Sequence, residues 1–159
     1  GGHQGGGCGN NTRGVFGGAT ANNSDIIEYV TMATAGNGTD FGNLSQARAR
    51  LTATSSTTRG IFAGGETDSA SFLDTIDYIT IGSTGNATDF GNLTVARASL
   101  AGTSNTTRAI FGGGDSGSAV NTIDYITIGS TGDATDFGDL TVAKRWFDAV
   151  GSATAAGAA

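Results

Sequence analysis

The sequence predicts an all-β fold built from repeated four-stranded units, and three observations support that prediction. Of the 159 residues, 28 are glycine and none is proline. One block of sequence occurs three times, and its apolar and polar residues alternate with the two-residue period of a β-strand. No segment has the sustained 3.6-residue apolar period of a helix. We therefore expect one repeat domain over residues 1–159.

The repeat is defined by three motifs that occur in a fixed order. The first motif is Arg13-Gly-Val-Phe-Gly-Gly, which returns as Arg59-Gly-Ile-Phe-Ala-Gly-Gly and Arg108-Ala-Ile-Phe-Gly-Gly-Gly. The second motif surrounds Tyr29, Tyr78 and Tyr125, and the third surrounds Phe41, Phe90 and Phe137. Successive tyrosines are 49 and 47 residues apart, which is in the range of β-propeller repeats.

This period divides the chain into three repeats and a remainder. Repeat 1 is assigned to residues 1–44, repeat 2 to 45–93 and repeat 3 to 94–140, and residues 141–159 form a surplus strand and tail. Four strands are expected in each repeat, because four short runs are separated by Gly, Asn, Ser, Thr and Asp clusters typical of turns. Representative runs are Thr75–Ile81, Ile110–Phe111, Asp89–Leu93 and Leu93–Ser104.

Composition excludes several functional classes. A net charge of −6 disfavours nucleic-acid binding, which requires a basic surface. No apolar run reaches the ~18 residues of a membrane-spanning helix, so no membrane partner is predicted. No nucleophile, metal triad or cofactor fingerprint stands out, and we therefore predict a protein that is not an enzyme and has no resident cofactor.

The motif order resembles the kelch repeat. The resemblance rests on the glycine doublets that follow each Phe or Ala, on an acid preceding each tyrosine, and on the basic residues Arg48, Arg97 and Lys144. Phe41, Phe90 and Phe137 stand where kelch repeats usually have tryptophan. The resemblance implies that the repeats are β-propeller blades.

The amino-acid sequence of the repeats is also similar to repeat arrays in predicted virion proteins of tailed phages from aquatic bacteria. The similar segments are Thr-Arg-Gly-Val-Phe-Gly-Gly and Gly-Asn-Ala-Thr-Asp-Phe-Gly-Asn-Leu-Thr. This similarity implies a virion appendage, such as a tail fibre or surface protein, that contacts host carbohydrate. Its location would be the virion or the extracellular space. An extracellular filament subunit of an environmental microbe is the alternative, and a sugar-processing propeller enzyme is a third.

Three blades do not close a ring, because propellers have 4–8 blades. We therefore expect completion by oligomerisation, as a homo-oligomer or filament. Residues 1–11 align with the first strand of a repeat but have almost no side chains that pack, whereas residues 141–152 align with the same strand as a surplus copy. Trp146, Phe147 and Val150 in that surplus strand are the predicted interface, which would form by strand donation to a neighbouring chain. Truncation of a longer chain, an open form and a β-solenoid fibre are the alternatives.

Two sets of polar residues are candidate sites. Asp133, Asp136 and Asp139 could supply oxygen ligands to Ca²⁺, although Asp and Asn also cap tight turns. Asn37, Asn86 and Asn92 lie in Asn-x-Ser/Thr sequons, which are glycosylation acceptors in secreted eukaryotic proteins but also arise from an Asn- and Thr-rich composition. The recurring Arg13, Arg59 and Arg108 are predicted to make structural ion pairs or arginine-to-backbone bonds between adjacent strands, because an acid also recurs once per repeat: Glu28, Asp77 and Asp124.

Overall fold

The computed structural model describes residues 4–19 and 23–149, which form three four-stranded antiparallel sheets. Sheet I consists of β1 (Gly6–Gly9), β2 (Arg13–Gly17), β3 (Ser24–Thr31) and β4 (Thr39–Arg48). Sheet II consists of β5 (Thr52–Ser55), β6 (Arg59–Ala63), β7 (Thr75–Thr80) and β8 (Thr88–Asn92). Sheet III consists of β9 (Ala101–Ser104), β10 (Arg108–Gly112), β11 (Val120–Thr127) and β12 (Thr135–Lys144). The all-β prediction is confirmed.

Each sheet is a simple meander in which consecutive strands are neighbours. One sheet therefore corresponds to one sequence repeat. The described ranges contain no helix of any length, and so none that is long and apolar enough to cross a membrane.

The sheet boundaries differ from the assigned repeats by a few residues. β4 continues to Arg48 and β12 to Lys144, so the assigned boundaries at 44 and 140 fall inside these strands. Residues 141–144 consequently belong to sheet III instead of beginning a surplus strand, and residues 145–149 form no strand. Of the run Leu93–Ser104, only Ala101–Ser104 is a strand, because Arg97 turns into the interior and Ser99 has a φ of 52°.

Sheet II lies between the other two sheets and is buried on both faces. We call the face of each sheet that points toward the preceding sheet its front face, and the opposite face its back face. In β7 the front face carries Asp77 and Ile79, and the back face carries Ile76. The two-residue period predicted from the sequence thus separates two buried faces, and burial of both is the pattern of a central sheet.

Two apolar clusters hold the three sheets together. The first joins the back face of sheet I to the front face of sheet II and contains Val15, Ile27, Phe41, Leu44, Leu51, Phe62, Ile79 and Ile81. The second joins sheet II to sheet III in the same way and contains Ile61, Ala63, Ile76, Phe90, Leu93, Leu100, Ala109, Phe111, Ile126 and Ile128. Most members of the two clusters occupy equivalent repeat positions, so the packing of the two junctions repeats as well.

The first strands of the three sheets lie side by side. Ser55 Oγ donates to the Gly9 carbonyl at 2.7 Å, and Ser104 Oγ donates to the Ser55 carbonyl at 2.7 Å. The glycines of β1 make this approach possible, because a Cβ on Gly6 would lie 2.7 Å from the side chains of Ala53 and Leu51. The lack of side chains in β1 therefore allows close packing and does not prevent strand formation.

Candidate functional site: the sheet junctions and the two open faces

A buried ion pair lies at the centre of each junction between sheets. Arg48, at the end of β4, contacts Asp77 of β7 with 3.0 Å between Nη2 and Oδ2. Arg97, just after β8, contacts Asp124 of β11 with 2.9 Å between Nη1 and Oδ2. All four side chains are fully buried. In both cases the base comes from one sheet and the acid from the next.

The sheet that supplies the arginine also donates hydrogen bonds to each carboxylate. The backbone amide of Ser45 donates to Asp77 Oδ2 at 3.0 Å, and the Ser45 hydroxyl donates to Oδ1 at 2.7 Å. Thr94 binds Asp124 in the same way. Burial lowers the pKa of Arg48, and the charge of Asp77 opposes that shift. Removal of the acid would therefore leave a cation without compensation in an apolar junction.

A second contact crosses each junction through an arginine on the second strand of a sheet. Arg13 lies over the ring of Tyr29 at 4.4 Å, and Tyr29 meets Phe41 edge to face at 5.9 Å. The Arg13 guanidinium then donates to the Ile81 carbonyl of sheet II at 2.8 Å. Arg59 donates to the Ile128 carbonyl of sheet III at 2.7 Å. One of the two predicted alternatives, a bond from these arginines to backbone, is confirmed at both junctions, but the bond reaches the next sheet and not an adjacent strand. The ion-pair alternative is wrong for these arginines, because Asp77 and Asp124 pair with Arg48 and Arg97.

The last strands of sheets I and II are each bound by a loop of the next sheet. At the first junction the Gly85 amide donates to the Phe41 carbonyl at 2.7 Å, and the Asn43 amide donates to Asn86 Oδ1 at 3.1 Å. The second junction repeats these bonds between the strand at Phe90–Asn92 and the loop at 132–133. Gly91 has a φ of 144°, and a Cβ at this position would collide with the Gly132 carbonyl. Glycine at this position is thus required both by backbone conformation and by the approach of the next sheet.

At one end of the stack, the front face of sheet I has the same design, but no sheet formed by the described residues covers it. Phe16 is 56% exposed and Met32 is 62% exposed, whereas their equivalents in the other two sheets are fully or almost fully buried: Phe62, Phe111, Ile81 and Ile128. Glu28 occupies the position of Asp77 and Asp124, and its carboxylate is exposed. It has no ion-pair partner within the described part of the chain.

At the other end, the back face of sheet III is also open. Phe137 is 51% exposed, whereas Phe41 and Phe90 are 2% exposed at the equivalent positions. Lys144 takes the place of Arg48 and Arg97 and is exposed. A Cβ on Gly138 would meet nothing within 4 Å, unlike one on Gly91. Arg108 lies over Tyr125 at 4.4 Å, as its equivalents lie over their tyrosines, but no further sheet among the described residues accepts a hydrogen bond from it.

The structure does not bring the candidate calcium ligands together. Asp133 Oδ1 accepts hydrogen bonds from the backbone and side-chain amides of Asn92, and Asp136 Oδ1 accepts one from the Gly138 amide. Over residues 4–19 and 23–149, no three His, Cys, Asp or Glu side chains are grouped closely enough to hold a metal ion. The bond to Asp136 is that of a tight turn, which is the alternative that the sequence left open. The bonds to Asp133 cross a sheet junction, which the sequence did not predict.

The predicted glycosylation residues lie on the surface. Asn37, Asn86 and Asn92 are all exposed. Asn86 and Asn92 also take part in the junction bonds described above. A glycan on either residue would therefore be attached beside a contact between two sheets.

The predicted interface residues Trp146 and Phe147 contact their own chain. The Trp146 amide donates to the Ser99 carbonyl at 3.3 Å, and Arg50 lies over the Trp146 ring at 4.2 Å. A Cβ on Gly113 would lie 2.7 Å from Phe147, so this ring packs over the glycine. Val150 lies outside the described residues. Residues 145–149 thus lie beside sheet III, along a cleft of about 720 Å³ lined mainly by the first strands of the three sheets.

Sequence reasoning missed the partner of each repeated acid. The sequence pattern that could have indicated the partner is the recurrence of Arg48 and Arg97 at the same distance after Phe41 and Phe90. A spacing within one repeat does not show, however, that the base pairs with an acid of the following repeat. The chain matches no known family profile and no curated protein.

Proposed function

We propose that this chain is a non-catalytic structural protein that works by assembly of its sheets into a larger β structure. The observation that carries the proposal is the pair of open faces at the two ends of the stack. Each of these faces has the side chains of an internal junction, including exposed Phe16, Met32 and Phe137. Phe16 and Met32 lie near one another on one face, beside Gly14, and clustered exposed apolar side chains favour an interaction surface.

The architecture proposed for the assembly is a kelch-like β-propeller in which each sheet is one blade. Support comes from the four-stranded meanders, from the adjacency of their first strands, and from the repeated junctions. Three blades are fewer than the 4–8 of a closed propeller, whereas two chains would supply six. A β-solenoid fibre remains the structural alternative.

The setting proposed for the assembly is a phage virion appendage, such as a tail fibre or surface protein, that contacts host carbohydrate. This proposal rests on the resemblance of the repeats to phage virion arrays, and it places the protein on the virion or outside the cell. Negative-stain images of the purified chain, together with binding to a glycan array, test it. Compact rings or fibres and selective glycan binding are expected, and a monomer at every concentration would contradict the assembly proposal.

An extracellular filament subunit joined by strand donation is the second candidate. The observation that favours it is the position of the tail: the Trp146-to-Ser99 bond repeats the bond from the Ser99 amide to the Arg50 carbonyl. The tail therefore begins where the first strand of a fourth sheet would begin. Long filaments that disappear when the tail is removed would favour this candidate.

A further inference from the structure

We infer that the front face of sheet I binds the back face of sheet III of a second copy, with Lys144 of one copy paired to Glu28 of the other. This inference rests on the proposed function and specifies its interface. The partner is a second copy because the two open faces correspond to the two sides of the internal junctions. Each face therefore has the shape and chemistry that its counterpart binds within the chain.

Charge gives the first argument. Both internal junctions place a base from the back face of one sheet against an acid from the front face of the next. The open back face of sheet III presents Lys144, and the open front face of sheet I presents Glu28. Bringing these faces together would recreate the same pair with the same polarity, whereas two copies of one face would oppose like charges.

The identities of these two residues give the second argument. Both buried pairs are Arg–Asp, whereas the exposed residues are Lys and Glu. Arg is weakly hydrated and suits permanent burial, whereas Lys is a strongly hydrated point charge. The shorter base is matched to the longer acid, so the combined reach of the pair changes little. Lys144 and Glu28 thus suit a pair that is solvated in the free chain and joined in the assembly.

Apolar contacts and backbone bonds give the third argument. The front face of sheet I presents Phe16 and Met32, and the back face of sheet III presents Phe137. By repeat equivalence, the Arg108 guanidinium would reach the Met32 carbonyl of the second copy, as Arg13 and Arg59 reach Ile81 and Ile128. Within the chain, Gly91 lies against the loop at Gly132 of the next sheet. By repeat equivalence, the uncovered Gly138 would lie against the loop at Gly36 of the second copy.

The two faces lie at opposite ends of one chain, so the contact is head to tail. A head-to-tail contact closes into a ring if its rotation allows, and otherwise continues as a filament. Two copies closed in this way would contain six sheets and leave neither face open. A closed pair and a longer array both use the Lys144–Glu28 junction, and either one supports the inference.

Charge reversal tests the inference. Glu28→Lys and Lys144→Glu each place like charges at the junction, and we expect each to weaken self-association by about tenfold or more in sedimentation velocity. An equimolar mixture of the two variants restores opposite charges at both of its junctions, and so does the double variant. Both should associate like the wild type. Asp68→Lys makes the same charge change as Glu28→Lys on the exposed loop between β6 and β7 of the central sheet, and it should leave association unchanged.

The outcomes separate the inference from the proposed function. Self-association that is insensitive to both single reversals, or that the mixture does not restore, would overturn the inference and leave the assembly proposal standing. A wild-type chain that stays monomeric would contradict both. Far-UV circular dichroism of each single variant identifies any loss of folding, and recovery in the mixture would show that each variant retains a competent face.

Discussion

Sheet II and the two end sheets are near copies in sequence, yet only sheet II is buried on both faces. Phe90 in sheet II is 2% exposed and Phe137 in sheet III is 51% exposed, although each makes the same edge-to-face contact with its tyrosine at 5.9 Å. The contact between the tyrosine and the phenylalanine of a repeat therefore does not require a following sheet, whereas the burial of the phenylalanine does. A difference in unfolding free energy between substitutions at equivalent residues therefore measures the stability that a neighbouring sheet contributes.

The largest expected effect separates Asp77 from Glu28. Asp77→Ala removes the acid opposite the buried Arg48, and we expect a loss of about 3–5 kcal/mol in the free energy of unfolding because the cation is left unpaired. Glu28→Ala removes an exposed carboxylate, and at low protein concentration we expect a change within about 0.5 kcal/mol. Urea denaturation measures both, and equal losses would contradict the comparison.

The all-β class and the three-unit division could be predicted from the sequence, because Tyr29, Tyr78 and Tyr125 mark a period and alternation marks strands. The pairing of Arg48 with Asp77 could not, because it depends on which faces of two separate sheets meet. The formation of a regular strand by residues 6–9 could not be predicted for a similar reason. Its glycines allow β5 to approach closely, and local sequence does not show which strand lies beside them. The assigned boundaries at residues 44 and 140 lie four residues before the ends of β4 and β12, because these strands continue to Arg48 and Lys144.

A second comparison uses Phe90 and Phe137, which occupy equivalent positions in sheets II and III. Phe90→Ala should cost about 3–4 kcal/mol, because a fully packed ring is replaced by a cavity between sheets II and III. Phe137→Ala removes a half-exposed ring and should cost clearly less in the monomer. Chemical denaturation below the association range is the measurement. Similar losses for the two variants would show that burial by the next sheet is not what stabilises Phe90.

Glycines 91 and 138 provide a sharper control, since both have left-handed φ values, of 144° and 132°. Alanine is strained at either position, but only the Cβ at Gly91 would collide with a neighbouring sheet. We therefore expect Gly91→Ala to cost about 1–3 kcal/mol more than Gly138→Ala in unfolding free energy. Gly138→Ala should instead weaken self-association, and a variant that associates normally would argue against the inferred interface.

Deletion of residues 145–159 separates face docking from strand donation. Gln4 and Trp146 occupy equivalent repeat positions. In a docked pair, Gln4 of the second copy would therefore take the position that Trp146 occupies in the free chain. We expect the deletion, which leaves β12 complete, to preserve or strengthen self-association in sedimentation velocity. Loss of association would instead favour donation of the tail to a neighbour.

An effect confined to alkaline pH is expected for Cys8, which packs against the cluster between sheets I and II. Burial raises the pKa of this thiol from 9.0 to about 12 in the folded chain. The unfolded chain therefore releases the proton first, and stability should be full below about pH 9 and decline as the pH rises toward 12. Cys8→Ser lacks this ionisation, so its stability should decline less over that interval. Parallel denaturation curves for the two proteins would contradict the assignment.

Zero-length cross-linking tests the contact between copies most directly. Lys144 is the only lysine in the sequence, and the two internal junctions contain arginine, so a carbodiimide can form a lysine–carboxylate amide only through Lys144. We predict that a mixture of ¹⁴N- and ¹⁵N-labelled chains, after cross-linking and digestion, yields a peptide pair in which Lys144 of one isotope is joined to Glu28 of the other. An associated sample in which Lys144 reacts only with carboxylates of its own chain, or with a carboxylate other than Glu28, would contradict the account.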